Sequence, residues 1–213
     1  MKSKSTWKEK SEKEVRYFLE LAFGAENIGH DPKVNSKKAD FLVKGINVYI
    51  EVHAVKDITG DLREETPRSR GVTLLRLKKN SEKKILDRIA NKILHECEQL
   101  PDGTPNVLFT KTEGIFVSPD DVIDALIGRP FLIVHKVTMN ATEQREQIGF
   151  RTDEELNYVL EKISAVIAYE QVCEHGKLRG IIGNNKNNAK VPLDDKTYRI
   201  FSAMLCEKCM PFA

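Results

Sequence analysis

The stretch from Ala39 to Lys56, A-D-F-L-V-K-G-I-N-V-Y-I-E-V-H-A-V-K, restricts the fold more than any other part of the chain. Side chains alternate across a strand, so Asn47, Tyr49, Glu51 and His53 share one side, and Ile46, Val48, Ile50 and Val52 share the other. A wholly apolar side must face a core. Lys44-Gly45 predicts a two-residue turn that pairs Val43 with Ile46, Leu42 with Asn47 and Asp40 with Tyr49. Asp40 then projects to the same side as Glu51 and His53, with Glu51 as its diagonal neighbour. Two carboxylates so placed can converge on one divalent cation. A register slip of one residue would send Asp40 to the opposite face.

The rest of the chain supplies helices and further strands. Ser11, with Glu14 in capping-box position, predicts a helix whose stripe is Val15, Phe18, Leu19 and Ala22, stopped by Gly24. Residues 1–10 read as a basic, disordered lead, and 57–71 as a long loop punctuated by Gly60, Pro67 and Gly71. Val72–Leu77 reads as a short strand. Lys79–Leu100 is the longest predicted helix, with Leu86, Ala90, Ile93, Cys97 and Leu100 on its apolar seam. Beyond it come a buried strand at Asn106–Thr110, a short acidic helix capped by Ser118-Pro119 and a strand at Phe131–Val137. After a polar, irregular stretch follow a helix to Lys162, strands at Ile163–Tyr169 and Leu178–Ile182, and a last helix from Asp194 to Cys206. No internal repeat or linker interrupts the 213 residues, and 40% hydrophobic content suffices for one core. The expectation is one α/β domain over 1–213, with 165–213 a C-terminal elaboration.

The net charge of +2 hides an uneven distribution. Between Arg63 and Lys92 lie ten basic and four acidic residues, a balance suited to a phosphate backbone and equally to a solvated helix face. The N-terminal M-K-S-K-S-T-W-K-E-K has no signal-peptide run, and no apolar stretch has the length to cross a bilayer. A soluble, cytoplasmic protein with no membrane partner is therefore expected.

With its helix, its acid-bearing hairpin and its basic helix ending in Gln99-Leu100, the chain from about Glu12 to Leu100 resembles the PD-(D/E)xK, or restriction-endonuclease-like, superfamily. The resemblance implies a central mixed β-sheet flanked by helices, and a Mg2+- or Mn2+-dependent nuclease acting on nucleic acid, DNA in the first instance. It makes Asp40 the metal-bridging aspartate and Glu51 the second acid, with the Val52 carbonyl as an extra ligand. It makes Glu14 the first-helix acid, with Glu12 second in line. The family has lysine where this chain has His53. That departure leaves two readings, an active variant and a catalytically silent relative that binds nucleic acid or a protein. Lys92 and Gln99 are the residues of the long helix able to reach the site, and His53 itself is a candidate ligand, or a base titrating near the usual imidazole value of ~6.5. Arg63, Arg68, Arg70, Lys84, Arg88 and Gln99 are the candidate nucleic-acid contacts, and a homo-oligomer is compatible with all of this.

Cys206-Glu207-Lys208-Cys209 is a C-x-x-C, and Cys173-Glu174-His175 lies upstream. Cys173, His175, Cys206 and Cys209 together offer a Cys3His set to structural zinc. The close spacing of Cys173 and His175 and the lack of a second C-x-x-C favour ordinary reduced thiols instead.

Overall fold

A computed structural model of the chain describes residues 7–34, 37–56, 63–68, 72–77, 81–114, 117–127, 129–134, 141–146, 150, 152–173 and 177–206. Helix α1 (Trp7–Phe23) leads through a short 3-10 turn to strands β1 (Ile28–His30), β2 (Lys33–Val34), β3 (Lys37–Lys38), β4 (Phe41–Val43) and β5 (Val48–Lys56). Strands β6 (Arg63–Arg68) and β7 (Val72–Leu77), helix α2 (Ser81–Cys97), strand β8 (Asn106–Glu113) and helix α3 (Pro119–Ile127) follow. The chain continues through β9 (Arg129–Val134), β10 (Ala141–Glu146), α4 (Asp153–Lys162), β11 (Ala165–Val172), β12 (Leu178–Asn184) and α5 (Asp195–Ala203).

Six strands form one open, mixed sheet in the order β1-β4-β5-β8-β11-β12. Strands β1, β4 and β5 are an antiparallel meander, β5, β8 and β11 run parallel, and β12 returns antiparallel to β11. The α/β expectation is met by this arrangement, with helices on both faces. Central strands buried on both faces are apolar on both, as Val107, Leu108 and Phe109 of β8 show. One core joins Tyr49, Leu108 and Val166 to Ile89 and Ile93 of α2, Val122 and Ile123 of α3, and Val159 of α4. The other joins Ile50, Val52, Phe109 and Ile167 to Val15, Phe18 and Leu19 of α1 and Phe201 of α5. Among the described residues no helix is long and apolar enough to cross a membrane.

Three local departures from the sequence reading have physical causes. Helix α1 begins at Trp7, not at Ser11. Ser11 is fully buried on the stripe that continues through Val15, so it lies inside the helix and the Ser11–Glu14 capping box does not form. Part of the supposed loop, Arg63–Arg68, is a strand paired antiparallel with Val72–Leu77. A β-forming segment has backbone groups to satisfy, and the preceding stretch supplies them. The same holds for Ala141–Glu146, expected to be irregular and found paired with Arg129–Val134.

The loop between β4 and β5 also differs. Four residues, Lys44 to Asn47, make the turn, with Asn47 at a φ of 50°. Asparagine tolerates that left-handed conformation better than most residues. The register is therefore Val43 with Val48, Leu42 with Tyr49 and Phe41 with Ile50. Asp40, one residue before β4, stands level with Glu51 instead of diagonal to it. Two extra turn residues shift the pairing by an even step, so Asp40 keeps its side.

Phe109 is fully buried in the second core, with its ring 6.1 Å from that of Phe201. Phe109→Ala should lower the free energy of unfolding by about 3–5 kcal/mol in urea titration. A loss below about 1 kcal/mol would mean that β8 is not the central strand it is here.

Candidate functional site

The sheet face under α2 carries the polar cluster. Glu51 and His53 are each 0% exposed, a severe environment for a carboxylate and an imidazole. Strand alternation puts both on the α2 side, opposite the Val48, Ile50 and Val52 face that α1 and α5 cover. Asp40 is nearly buried, and its Oδ2 accepts a hydrogen bond from the Val52 backbone amide at 2.8 Å. Val52 thus meets the site through its amide.

Both carboxylates converge on one cation. Lys8, in the first turn of α1, places its Nζ 3.0 Å from Glu51 Oε1 and 3.3 Å from Asp40 Oδ1. Burial works against the Lys8 charge, but the adjacent Glu51 and Asp40 hold its pKa above the ordinary lysine value. The other Glu51 oxygen, Oε2, is buried with no hydrogen-bond partner. Glu96 of α2, 4% exposed, brings a second carboxyl within hydrogen-bonding reach of Glu51, and Lys92 Nζ holds Glu96 Oε1 at 2.5 Å. Two carboxylates in contact require a proton or a cation between them. Burial first, then the Asp40 charge, pushes the Glu51 pKa up to about 9, with Lys8 opposing.

His53 Nε2 lies 3.3 Å from Thr110 Oγ1, and Nδ1 has no partner. Burial lowers its pKa from 6.5 to about 3, with Lys92 and Lys8 adding to the effect and Glu96 resisting it. It is a neutral imidazole throughout the neutral range and does not change state near 6.5 as an exposed histidine would.

The structure brings Asp40, Glu51, His53 and Lys92 into one cluster. Glu14 joins a different group: both its carboxylate oxygens accept from Lys111 Nζ at 2.7 Å, and the Tyr169 hydroxyl donates to Oε2 at 3.3 Å. Glu12 is the first-helix acid that feels Asp40, its pKa raised by burial and then by the Asp40 charge. Lys84 and Arg88 are exposed on α2, with Arg88 Nη1 donating to the Lys56 carbonyl at 3.3 Å, and Gln99 is half-buried. Arg63 and Arg68 lie on β6, where only the backbone is described, and Arg70 falls outside the described residues. Cys173 and Cys206 bring their sulfurs to 2.7 Å, whereas His175 and Cys209 fall outside the described residues.

Sequence reasoning missed Lys8 and Glu96. Lys8 falls in the stretch that reads as a lead, yet it stands one turn before Ser11 on the same helical stripe. Glu96 follows Ile93 by three residues and Lys92 by four, which places it at the edge of the apolar seam. Among the described residues no three His, Cys, Asp or Glu side chains stand together as a preformed ligand set. Comparison with protein-family models, with curated proteins and with solved structures found no match to this chain.

The two shifted groups set opposing pH limits on stability. The raised Glu51 pKa contributes stability that is complete below 4.5 and lost as pH rises to about 9. The lowered His53 pKa contributes stability that is present above 6.5 and lost as pH falls to about 3. Without divalent cations, urea unfolding should show stability declining on the alkaline side of 6.5, and Glu51→Gln should flatten that decline. A Glu51→Gln profile parallel to the wild type would contradict this assignment.

Proposed function

We propose that the chain is a divalent-metal-dependent nuclease-like protein of the PD-(D/E)xK type, hydrolysing phosphodiester bonds of nucleic acid, in the first instance DNA. The observation that carries the reading is the convergence of Asp40 and Glu51 on one cation, with a buried Glu51 oxygen left without a donor. The mixed sheet flanked by helices is compatible with a restriction-endonuclease-like core. The basic balance of the segment from Arg63 to Lys92 adds a charge complement for the phosphate backbone.

Asp40 and Glu51 would hold Mg2+ or Mn2+, since Mg2+ commonly uses one or two carboxylates and keeps several waters. The ion supplies a Lewis acid for phosphate oxygen and lowers the pKa of bound water. The chain's own residues prepare that chemistry. The Val52 amide fixes the Asp40 carboxylate, and strand β5 fixes Glu51 level with it. Lys92 holds Glu96, the neighbouring carboxyl that favours a cation or proton on Glu51. His53, neutral and packed against Thr110, contributes shape and a hydrogen bond, not charge.

That neutrality favours a second reading, a catalytically silent relative that retains nucleic-acid binding. An assay with Mn2+ or Mg2+ on duplex and single-stranded DNA separates the two. Metal-dependent cleavage that falls by about 100-fold or more in Asp40→Asn and Glu51→Gln supports the enzyme. Cleavage equal in wild type and Asp40→Asn, or none at all, contradicts it. In either reading, reversing Arg68, Arg70 and Lys84 to glutamate should weaken DNA binding and flatten its salt dependence. Unchanged affinity would make the charge run a solvated surface.

A further inference from the structure

We infer that Lys8 is a built-in counter-ion for the Asp40–Glu51 pair, which a divalent cation must displace, so that loading the site releases the first turn of α1. The inference rests on the reading of Asp40 and Glu51 as cation ligands and adds a coupling between that site and a helix end.

The geometry is direct. The Lys8 ammonium touches both carboxylates, at 3.0 Å and 3.3 Å, and so covers the oxygens a metal would use. A divalent ion between the same oxygens would leave the ammonium facing a like charge across a few ångströms in a poorly hydrated site. The Lys8 side chain is 43% exposed, and its flexible stem gives the ammonium a route to water. Glu51 has no such freedom, because it is 0% exposed on a strand paired on both sides. Displacement therefore falls on the lysine.

The helix end is poised to respond. The first amides of a helix lack intrahelical acceptors, so a first turn depends on its outside contacts. The ion pairs of Lys8 tie this turn to β5 and to the residue before β4. While Lys8 is engaged, the apparent metal affinity is reduced by the fraction of molecules in which it is disengaged.

Mn2+ titration by calorimetry, with hydrogen exchange on the same samples, tests this on wild type, Lys8→Gln and Lys8→Arg. Lys8→Gln should bind Mn2+ at least about 10-fold more tightly than wild type, whereas Lys8→Arg, which keeps the cation, should not. Mn2+ should speed amide exchange in the first turn of α1 in wild type and leave Lys8→Gln unchanged. Circular dichroism checks that the variants are folded. Binding in Lys8→Gln but not in wild type would support the inference outright. Equal Mn2+ affinity in wild type and Lys8→Gln, or a first turn more protected with Mn2+, overturns it while leaving the metal site standing. If no form binds Mn2+, the metal reading itself falls and the coupling falls with it.

Discussion

The structure is organised around a carboxylate placed where carboxylates are costly. Glu51 stands on β5, fully buried with β8 paired to it on one side and Asp40, just before β4, level with it on the other. An ionised carboxylate there loses its hydration, at several kcal/mol even after relaxation. What surrounds it is the response to that cost: the Lys8 ammonium on one oxygen, Asp40 held beside it by the Val52 amide, and Glu96 tied to Lys92. Each of these groups comes from a different segment. The site thus needs α1, the hairpin and α2 to be in place together.

A structural ion-pair network can look the same, because buried charges are paired wherever they occur. What marks this cluster is its surplus of carboxyls: Asp40 and Glu51 share the Lys8 ammonium, and Glu96, held by Lys92, comes within hydrogen-bonding reach of Glu51. Three acids against two ammonium groups leave room for one more positive charge or a proton.

Much of this was legible in the chain. The alternation Val48, Ile50, Val52 against Tyr49, Glu51, His53 gave the two faces of β5, and both became cores. The side of Asp40 survived a wrong turn length, because a two-residue error leaves strand parity unchanged. The core seam of α2 is visible in its spacing, and of Lys92 and Gln99, the two α2 residues expected to reach the site, Lys92 joins it through Glu96. Less was visible wherever position depends on tertiary packing. Lys8 looks like one more charge in a basic lead until α1 is seen to start at Trp7. Glu14 and Glu12 are two residues apart, and only the docking of α1 decides which of them turns toward Lys111 and which toward Asp40. The burial of His53 depends on how closely α2 packs, which its own residue type does not reveal.

The central claim is that Asp40 and Glu51 form one cation-binding pair. Anomalous diffraction from a crystal soaked in Mn2+ tests it most directly. The account predicts a manganese peak bonded to a carboxylate oxygen of each residue, with the Lys8 ammonium displaced from between them. A crystal with no peak there at saturating Mn2+, and with Lys8 still bridging both carboxylates, would contradict it.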